Sequence, residues 1–201
     1  MPRLRQSAFT LIELLVVIVI IAVLACLTVV AVMHALVWAP EAATRAQIKA
    51  LRAACVRHHT TRGDYPPSTL AKLGARGLND TNNGIEAFTA CLSRDGAILW
   101  EQADAYANTD ADRAETNITG WYFGDNDLRE ITDAWGRPLV YMHHVDYAKP
   151  ATYVFVPGGG RFEVKAIRVA ATRAFAHPDS FQLWSVGRDG VPGTIDDLEE
   201  E

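Results

Sequence analysis

The chain lacks the residue patterns that most enzymes and nucleic-acid-binding proteins need. Its formal net charge is -5, and this balance argues against a nucleic-acid partner, because binding to phosphates requires a basic surface. No glycine-rich loop is followed by the Lys-Ser/Thr pair of a phosphate site, no serine lies in a nucleophile elbow, and no histidine has zinc-protease spacing. These absences predict a protein that is not an enzyme.

Cysteine is scarce, with three residues in the chain. Cys26 lies in an apolar run and acts there as a small apolar side chain. Cys55 and Cys91 would meet an oxidising compartment if the chain is exported, and a disulfide between them is one interpretation. Two buried free thiols are the other, since the sequence does not give the distance between the two residues.

One long stretch lacks charge and proline altogether. Residues 14–33 are apolar except for Thr28, and roughly 20 apolar residues are enough to cross a bilayer as a helix. Arg3 and Arg5 precede this run without any acid beside them. Positive charge before an apolar run keeps that end cytoplasmic, so we expect a single-pass protein whose C-terminal part lies across the membrane.

Glu13 stands at the start of this run and neither of two ordinary interpretations accounts for it. A secretory signal has an apolar core of roughly 7–15 residues, which is shorter than the run here. A plain membrane anchor explains the length and the basic leader, but a carboxylate at the centre of a membrane helix costs about 2.5–3.5 kcal/mol. An ionisable group in such a segment indicates a function, and its partner has to be identified.

The segment AFTLIELLVV, residues 8–17, resembles the processing motif of the type IV prepilin family. The resemblance implies that a membrane peptidase removes the basic leader, residues 1–8, and cuts between Ala8 and Phe9. The peptidase would then N-methylate Phe9, and Glu13 would become the fifth residue of the mature chain. The resemblance further implies that Glu13 pairs with the α-amino group of Phe9 on a neighbouring subunit during filament assembly. The chain departs from the family in having Ala8 where glycine is usual.

The helix is predicted to extend well beyond the membrane. No glycine or proline occurs between Glu41 and His59, and Ile48, Leu51 and Cys55 have the spacing of a buried helical stripe. The sequence therefore predicts a helix in two parts, followed by a head. The two parts of the helix are a transmembrane and filament-core segment at 9–38 and an amphipathic continuation at 39–63. The globular head is expected at 64–201.

The head is predicted to be an α+β structure with a small antiparallel sheet packed on the long helix. A short helix is expected within residues 78–92, with Ile85, Phe88 and Leu92 on one face. Residues 101–130 are polar and acidic, which indicates a long loop or insertion. The predicted strands are rich in β-branched and aromatic residues, and Gly158–Gly160 joins two of them as a hairpin; these strands lie at 138–145, 152–157, 161–170 and 181–187.

Two further segments resemble the major pseudopilin of type II secretion systems. One is TDAWGRPLVY, residues 132–141, which is predicted to form a turn anchored by Trp135. The other is the C-terminal loop, residues 185–198, which resembles a pseudopilin calcium loop; a solvated acidic loop is the alternative. The resemblance implies calcium ligands at Ser185, Asp189, Asp196 and Asp197, with backbone carbonyls from Leu183 and Val191.

The resemblance implies a structural subunit of a type II secretion pseudopilus, held in the bacterial inner membrane with its head in the periplasm. Its partners would be other pseudopilins, the prepilin peptidase, and an inner-membrane platform with its cytoplasmic ATPase. A minor type IV pilin, a tip adhesin or a DNA-uptake pilin is the second interpretation, favoured by the 101–130 insertion, because grafted loops carry binding functions. A membrane-anchored binding domain is the third.

Overall fold

The computed structural model describes residues 10–96, 105–115 and 126–199. The chain divides into two compact units, Met1–Pro40 and Glu41–Glu201. Helix α1 (Leu11–Arg62) contributes residues to both units. The prediction of a long N-terminal helix followed by helices and small antiparallel sheets is confirmed, and the fold is α+β.

The first unit is the apolar part of α1. Leu11–Val29 is long and apolar enough to cross a membrane, and its side chains are exposed, from 44% for Val17 to 82% for Leu11. Thr28 donates its hydroxyl to the carbonyl of Leu24 at 2.8 Å, which satisfies the one polar side chain between residues 14 and 29 without a partner from outside the helix. Pro40 lies inside the helix and leaves it continuous.

In the second unit, the remainder of α1 buries one face. Ile48 and Cys55 are almost fully buried and Leu51 packs against the same core, so the predicted 3–4 stripe is confirmed. Thr44 and His58 extend this buried face in both directions. Arg45, which lies off this face, is exposed.

Helix α2 (Asn83–Arg94) is the central element of the head. The predicted face of Ile85, Phe88 and Leu92 is fully buried, but burial goes further, because every residue from Gly84 to Ser93 is buried. The helix packs against neighbouring strands on more than one side, and this explains why the polar side chains between the apolar positions are also enclosed.

Within the described ranges, three antiparallel strand pairs form the sheet structure of the head where one small sheet was predicted. They are β1 (Tyr106–Ala107) with β2 (Glu130–Ile131), β3 (Val140–His143) with β6 (Phe181–Trp184), and β4 (Ala151–Tyr153) with β5 (Phe162–Val164).

The strands are shorter than predicted, and two of the differences have local causes. The segment after β3 turns into a 3-10 helix at His144–Asp146, because the His143 ring accepts the backbone N–H of Val145 and caps it. The chain beyond β5 leaves the ladder, because the backbone N–H of Ile167 donates to the Gln182 side chain at 2.7 Å instead of to a strand. The hairpin that Gly158–Gly160 predicted is confirmed, since β4 and β5 form it.

The 101–130 segment is more ordered in its described parts than the predicted loop. Its two ends form β1 and β2, with Tyr106 opposite Ile131. Further bridges join Arg113 to Asp127 and Gly77 to Ala114. Backbone pairing therefore holds the described parts of this segment to each other and to the region around Gly77, which precedes α2.

Candidate functional site

The processing residues Ala8 and Phe9 lie outside the described residues. Glu13 lies in the first turn of α1 and its carboxylate accepts two hydrogen bonds from Thr10, one from the backbone N–H and one from the hydroxyl, both at 2.8 Å. The backbone N–H of Glu13 donates in return to the Thr10 hydroxyl oxygen at 3.3 Å. This is a capping box, in which the first and last residues of a Thr-x-x-Glu segment satisfy each other's N–H groups.

Sequence reasoning placed Glu13 at the start of the membrane run but missed its partner within the chain. The Thr10-x-x-Glu13 spacing before an apolar run is itself a helix-start signal. The arrangement holds the Glu13 carboxylate at the helix N-terminus, where the helix dipole also favours negative charge. Glu13 is thus both a helix cap and the acid that the filament interpretation requires.

The turn predicted at residues 132–141 is built around Asp133. Its carboxylate accepts the backbone N–H groups of Trp135 and Arg137 at 2.9 and 3.0 Å, and Gly136 takes the left-handed conformation that the turn requires, with φ of 76°. The turn contacts α1 through the N–H of Ala134, which donates to the Thr44 hydroxyl at 3.1 Å.

Ser185, a predicted calcium ligand, is committed to this turn. Its hydroxyl donates to the second Asp133 carboxylate oxygen at 2.6 Å and accepts the N–H of Gly187 at 3.0 Å. Burial raises the pKa of Asp133, and the bond from Ser185 opposes that rise. The structure therefore places Ser185 at the base of the C-terminal loop, in a buried pair with Asp133.

The acids of the C-terminal loop are organised mainly by local hydrogen bonds. Asp196 accepts the backbone N–H of Asp189 at 2.9 Å and the hydroxyl of Thr194 at 2.5 Å, and the bond from Thr194 is the main reason that the pKa of Asp196 is lowered. Asp197 accepts the N–H of Gly193 at 2.8 Å, while its other carboxylate oxygen is buried without a hydrogen bond. Burial raises the pKa of Asp197, and the charges of Asp196 and Asp189 add to the effect.

The two predicted backbone ligands lie apart in the loop's framework. Leu183 is in β6, opposite Tyr141. Val191 is exposed, and its carbonyl accepts the Thr194 hydroxyl at 3.2 Å. The structure thus brings Asp189 and Asp196 together and leaves Ser185, Leu183 and Val191 in other hydrogen bonds or strand pairing.

Cys55 and Cys91 are two buried free thiols, the alternative to the disulfide. The Cys91 sulfur lies 3.8 Å from Nε2 of His58, whose Nδ1 is 2.7 Å from a carboxylate oxygen of Asp95. Cys91 and His58 line a cavity of about 280 Å³. Burial raises the pKa of Cys91 to about 11, so the thiol stays protonated and weakly nucleophilic at neutral pH.

A second cluster of acids was not foreseen from the sequence. Glu86, Asp110 and Asp112 each place a carboxylate oxygen within 4.8 Å of one from each of the others. The His58, Cys91 and Asp95 group is the other such trio of potential metal ligands in the described ranges, and the acids of the C-terminal loop form none there. The alternating Asn108-x-Asp110-x-Asp112 spacing was the available signal.

Comparison with known proteins bears on the N-terminal segment. Residues 3–33 match the family described as the prokaryotic N-terminal methylation motif, and this match supports a type IV pilin-like family. No curated protein and no solved structure gives a significant match to the chain. The motif covers the leader and the apolar run, and it implies processing by a prepilin peptidase and filament assembly.

Proposed function

From the premise that residues 3–33 carry a type IV pilin-like methylation motif, we propose that the chain is a structural subunit of a type II secretion pseudopilus. It resides as a single-pass protein in the bacterial inner membrane, with its N-terminus cytoplasmic and its second unit periplasmic. After processing it polymerises through its N-terminal helix and drives protein export. The observation that carries this proposal is the coincidence of the motif match with the apolar Leu11–Val29 helix and its single acid, Glu13.

The chemistry of assembly follows from the cleavage position. Hydrolysis of the Ala8–Phe9 peptide bond creates a new α-amino group on Phe9, four residues before Glu13. Opposite charges attract strongly where the dielectric is low, and pairing removes the cost of leaving a carboxylate alone in an apolar filament core. An ion pair between Glu13 and the Phe9 amine of the next subunit would also fix the register of one subunit on another.

The capping box holds the Glu13 carboxylate before it pairs with the amine of a neighbouring subunit. In the isolated chain the Glu13 carboxylate has the N–H and hydroxyl of Thr10 as donors. A carboxylate oxygen accepts more than one hydrogen bond, so the Phe9 amine of a neighbour adds to this arrangement without displacing Thr10. The box thereby holds the acid at the helix end where an incoming amine must reach it.

The exposed apolar face of α1 supplies the remaining contacts. Between Leu11 and Val29 the large apolar side chains are roughly half exposed or more in the single chain. Lipid covers such a surface before assembly, and the same surface of neighbouring helices covers it afterwards. Because lipid and leucine are equally apolar, the preference for the filament rests on close packing and on the polar pair.

Two features support a pseudopilus over other type IV pilins. The pseudopilin-like segment 132–141 contains the Asp133–Arg137 turn, which is linked to α1 through Ala134 and Thr44. The C-terminal loop adjoins it, since Arg137 donates to the carbonyl of Gly187 and Ser185 donates to Asp133. We include calcium binding by this loop in the proposal, with Asp189, Asp196 and Asp197 as ligands. The buried, unpaired oxygen of Asp197 supports it.

The assembly step is tested with Glu13→Ala in cells that carry the matching peptidase and secretion machinery. The variant is expected to insert in the membrane and be cleaved, yet to be lost from isolated filaments. Glu41→Ala is the matched control, because Glu41 lies on the same helix beyond the membrane-spanning segment and its carboxylate accepts hydrogen bonds from its neighbour Arg45. Filaments containing Glu13→Ala at the wild-type level would overturn the proposal and favour a membrane-anchored monomer.

The choice of secretion system is tested by deleting the gene and following three activities. Loss of an exported protein from the medium, with surface attachment and DNA uptake intact, is the expected result. Normal export combined with defective attachment or uptake would establish the minor-pilin interpretation instead. Complementation with Asp196→Asn then measures the contribution of the C-terminal loop, for which we expect reduced export and unchanged membrane insertion.

A further inference from the structure

We propose that Glu86, Asp110 and Asp112 form a divalent-cation site, best suited to calcium, that ties the 105–115 segment to helix α2. The site is distinct from the C-terminal loop and independent of the filament function, since it involves only residues of the second unit. It assigns a role to part of the 101–130 insertion, whose purpose the sequence did not indicate.

The strongest observation is the state of Glu86. This residue has no exposed surface, and neither of its carboxylate oxygens has a hydrogen-bond partner in the part of the chain that the structure describes. Buried polar groups in proteins are almost always paired, and an unpaired buried carboxylate is far more costly than an unpaired neutral group. A ligand that supplies positive charge at this point removes the cost.

The neighbours of Glu86 increase the need for a cation. Burial, followed by the charges of Glu130, Asp110 and Asp112, raises the pKa of Glu86 well above its ordinary value. One oxygen of Asp110 is also buried without a partner. Arg113, next to the cluster in the chain, bonds Asp127 at 2.9 Å.

Backbone donors fix the position of the Asp112 carboxylate. It accepts the N–H groups of Leu78 and Asn79 at 3.0 and 3.3 Å. Gly77 permits this close approach, since a Cβ there would lie 2.6 Å from the Asp112 carboxylate. The cluster therefore holds a well-positioned carboxylate beside the unpaired Glu86.

The dimensions of the cluster suit calcium. Calcium–oxygen bonds are about 2.3–2.6 Å long, so two ligands on opposite sides of the ion lie about 4.6–5.2 Å apart. The three carboxylates already present oxygens within 4.8 Å of one another. Magnesium has shorter bonds and keeps several of its waters, which a site enclosed by buried side chains accommodates poorly.

The cluster has the surrounding framework of a built site. Glu130, on β2, accepts the Asn82 side-chain amide at 3.0 Å and the Thr109 N–H at 2.9 Å. The side chain of Asn108 both accepts the N–H of Asp112 at 2.9 Å and donates to its carbonyl at 2.6 Å. These bonds fix the 108–112 turn so that two acids two residues apart face the same point on α2.

Calcium titration of the full-length chain in detergent micelles, after removal of divalent ions, tests the proposal. Isothermal titration with calcium chloride and, separately, magnesium chloride is performed on wild type, Glu86→Gln and Glu163→Gln. Glu163 is the matched control, because its side chain is 61% exposed on β5 and pairs with Lys165. Glu86→Gln is expected to bind one calcium ion fewer than wild type, and Glu163→Gln is expected to bind the same number.

Melting curves exclude a folding defect as the cause. In chelator, Glu86→Gln is expected to melt no lower than wild type, because glutamine keeps the shape of the side chain and cannot ionise in the buried site, while calcium raises its melting temperature less than that of wild type. If Glu86→Gln melts lower in chelator, Asp110→Asn, at a partly buried position, serves in its place, with the same expected loss of one ion. Equal calcium stoichiometry and affinity in wild type and in the folded variant, or no calcium binding by wild type, would overturn the proposal. Adding Asp196→Asn to Glu86→Gln separates this site from the C-terminal loop, since further loss of an ion assigns that ion to the loop.

Discussion

Glu13 and Glu86 lie in the first turns of α1 and α2, and their carboxylates have opposite hydrogen-bonding environments. Glu13 begins α1 beside exposed apolar side chains and receives two hydrogen bonds from Thr10. Glu86 begins α2 in the core of the head and has none. Asn82, which precedes α2 at the capping position, makes no cap bond with its side chain; it donates instead to Glu130 and Thr109 and accepts the N–H of Val154.

This difference shows that the role of an acidic residue in the first turn of a helix depends on the environment of that helix. The Glu13 carboxylate finds its hydrogen-bond donors within its own segment, so the start of α1 is capped. The apolar side chains of this segment are nevertheless exposed. Glu86 lies in a helix whose apolar side chains are buried, but its own carboxylate oxygens have no hydrogen-bond partner among the described residues. We propose that another helix or lipid covers the apolar side chains of the first unit, and that an ion binds the carboxylate of Glu86 in the second.

The largest expected effect contrasts one apolar side chain from each helix. Phe88 is fully buried, with its ring centroid 4.4 Å from that of Tyr141, so Phe88→Ala is expected to lower the free energy of unfolding by about 3–5 kcal/mol. Leu24→Ala is expected to leave that free energy unchanged, because Leu24 is 57% exposed. Guanidinium unfolding of the full chain in detergent measures both. A loss for Leu24→Ala as large as that for Phe88→Ala would erase the contrast.

The second effect concerns the pH dependence of the buried acids. Burial raises the pKa of Glu130 from 4.5 to about 7. A raised pKa means that the folded state holds the proton more tightly, so this contribution is full below pH 4.5 and disappears as the pH rises through 7. In ion-free buffer, the rise corresponds to a loss on the order of 3 kcal/mol for this one group.

Glu130→Gln tests this dependence, because glutamine has no proton to lose. The difference in unfolding free energy between wild type and variant is expected to shift in favour of the variant as the pH rises from 4.5 to 8. Using the difference removes the contributions of other titrating groups. A difference that does not change with pH would show that Glu130 titrates normally, and adding calcium to wild type should reduce the pH dependence.

The third effect follows from removing one of the two hydrogen-bond donors of the Glu13 carboxylate. Thr10→Val removes the hydroxyl of the capping box and keeps the shape of the side chain. Loss of such a cap costs about 1 kcal/mol, which corresponds to about five-fold faster amide exchange in the first turn of the helix. Hydrogen exchange at residues 11–14 measures it, with Thr28→Val as the control, since Thr28 bonds the carbonyl of Leu24 within the helix. Unchanged exchange in Thr10→Val would mean that the box contributes nothing.

The smallest effect comes from a third glutamate on a helix surface. Glu41 lies 3.1 Å from Arg45, one turn further along α1, and both side chains are substantially exposed. Glu41→Gln is expected to reduce the unfolding free energy by about 0.3–0.5 kcal/mol in low salt and by less in high salt. A loss above 1 kcal/mol in the same guanidinium experiment would indicate that Glu41 has a role beyond this pair.

Local patterns predicted much of the fold. The 3–4 spacing of Ile48, Leu51 and Cys55 identified the buried face of α1, and Gly158–Gly160 identified the hairpin. Strand lengths were overestimated because β-branched and aromatic composition does not show where a side chain such as Gln182 takes the backbone out of the ladder. The ligand set carried over from the resemblance also included Ser185, whose hydroxyl turns out to serve Asp133, 52 positions away in the chain.

The sequence by itself determined the elements whose cause is local: the apolar membrane-length helix, its Thr10–Glu13 start, and the turn residues of the head. Those patterns depend on residues within a few positions of one another, so they can be recognised in the sequence. The tertiary structure alone decided which distant acids meet, because Glu86, Asp110 and Glu130 come from three separate segments that only the folded packing brings together. Burial, and with it the electrostatic cost that points to a cation, is a property of that packing and not of any one segment.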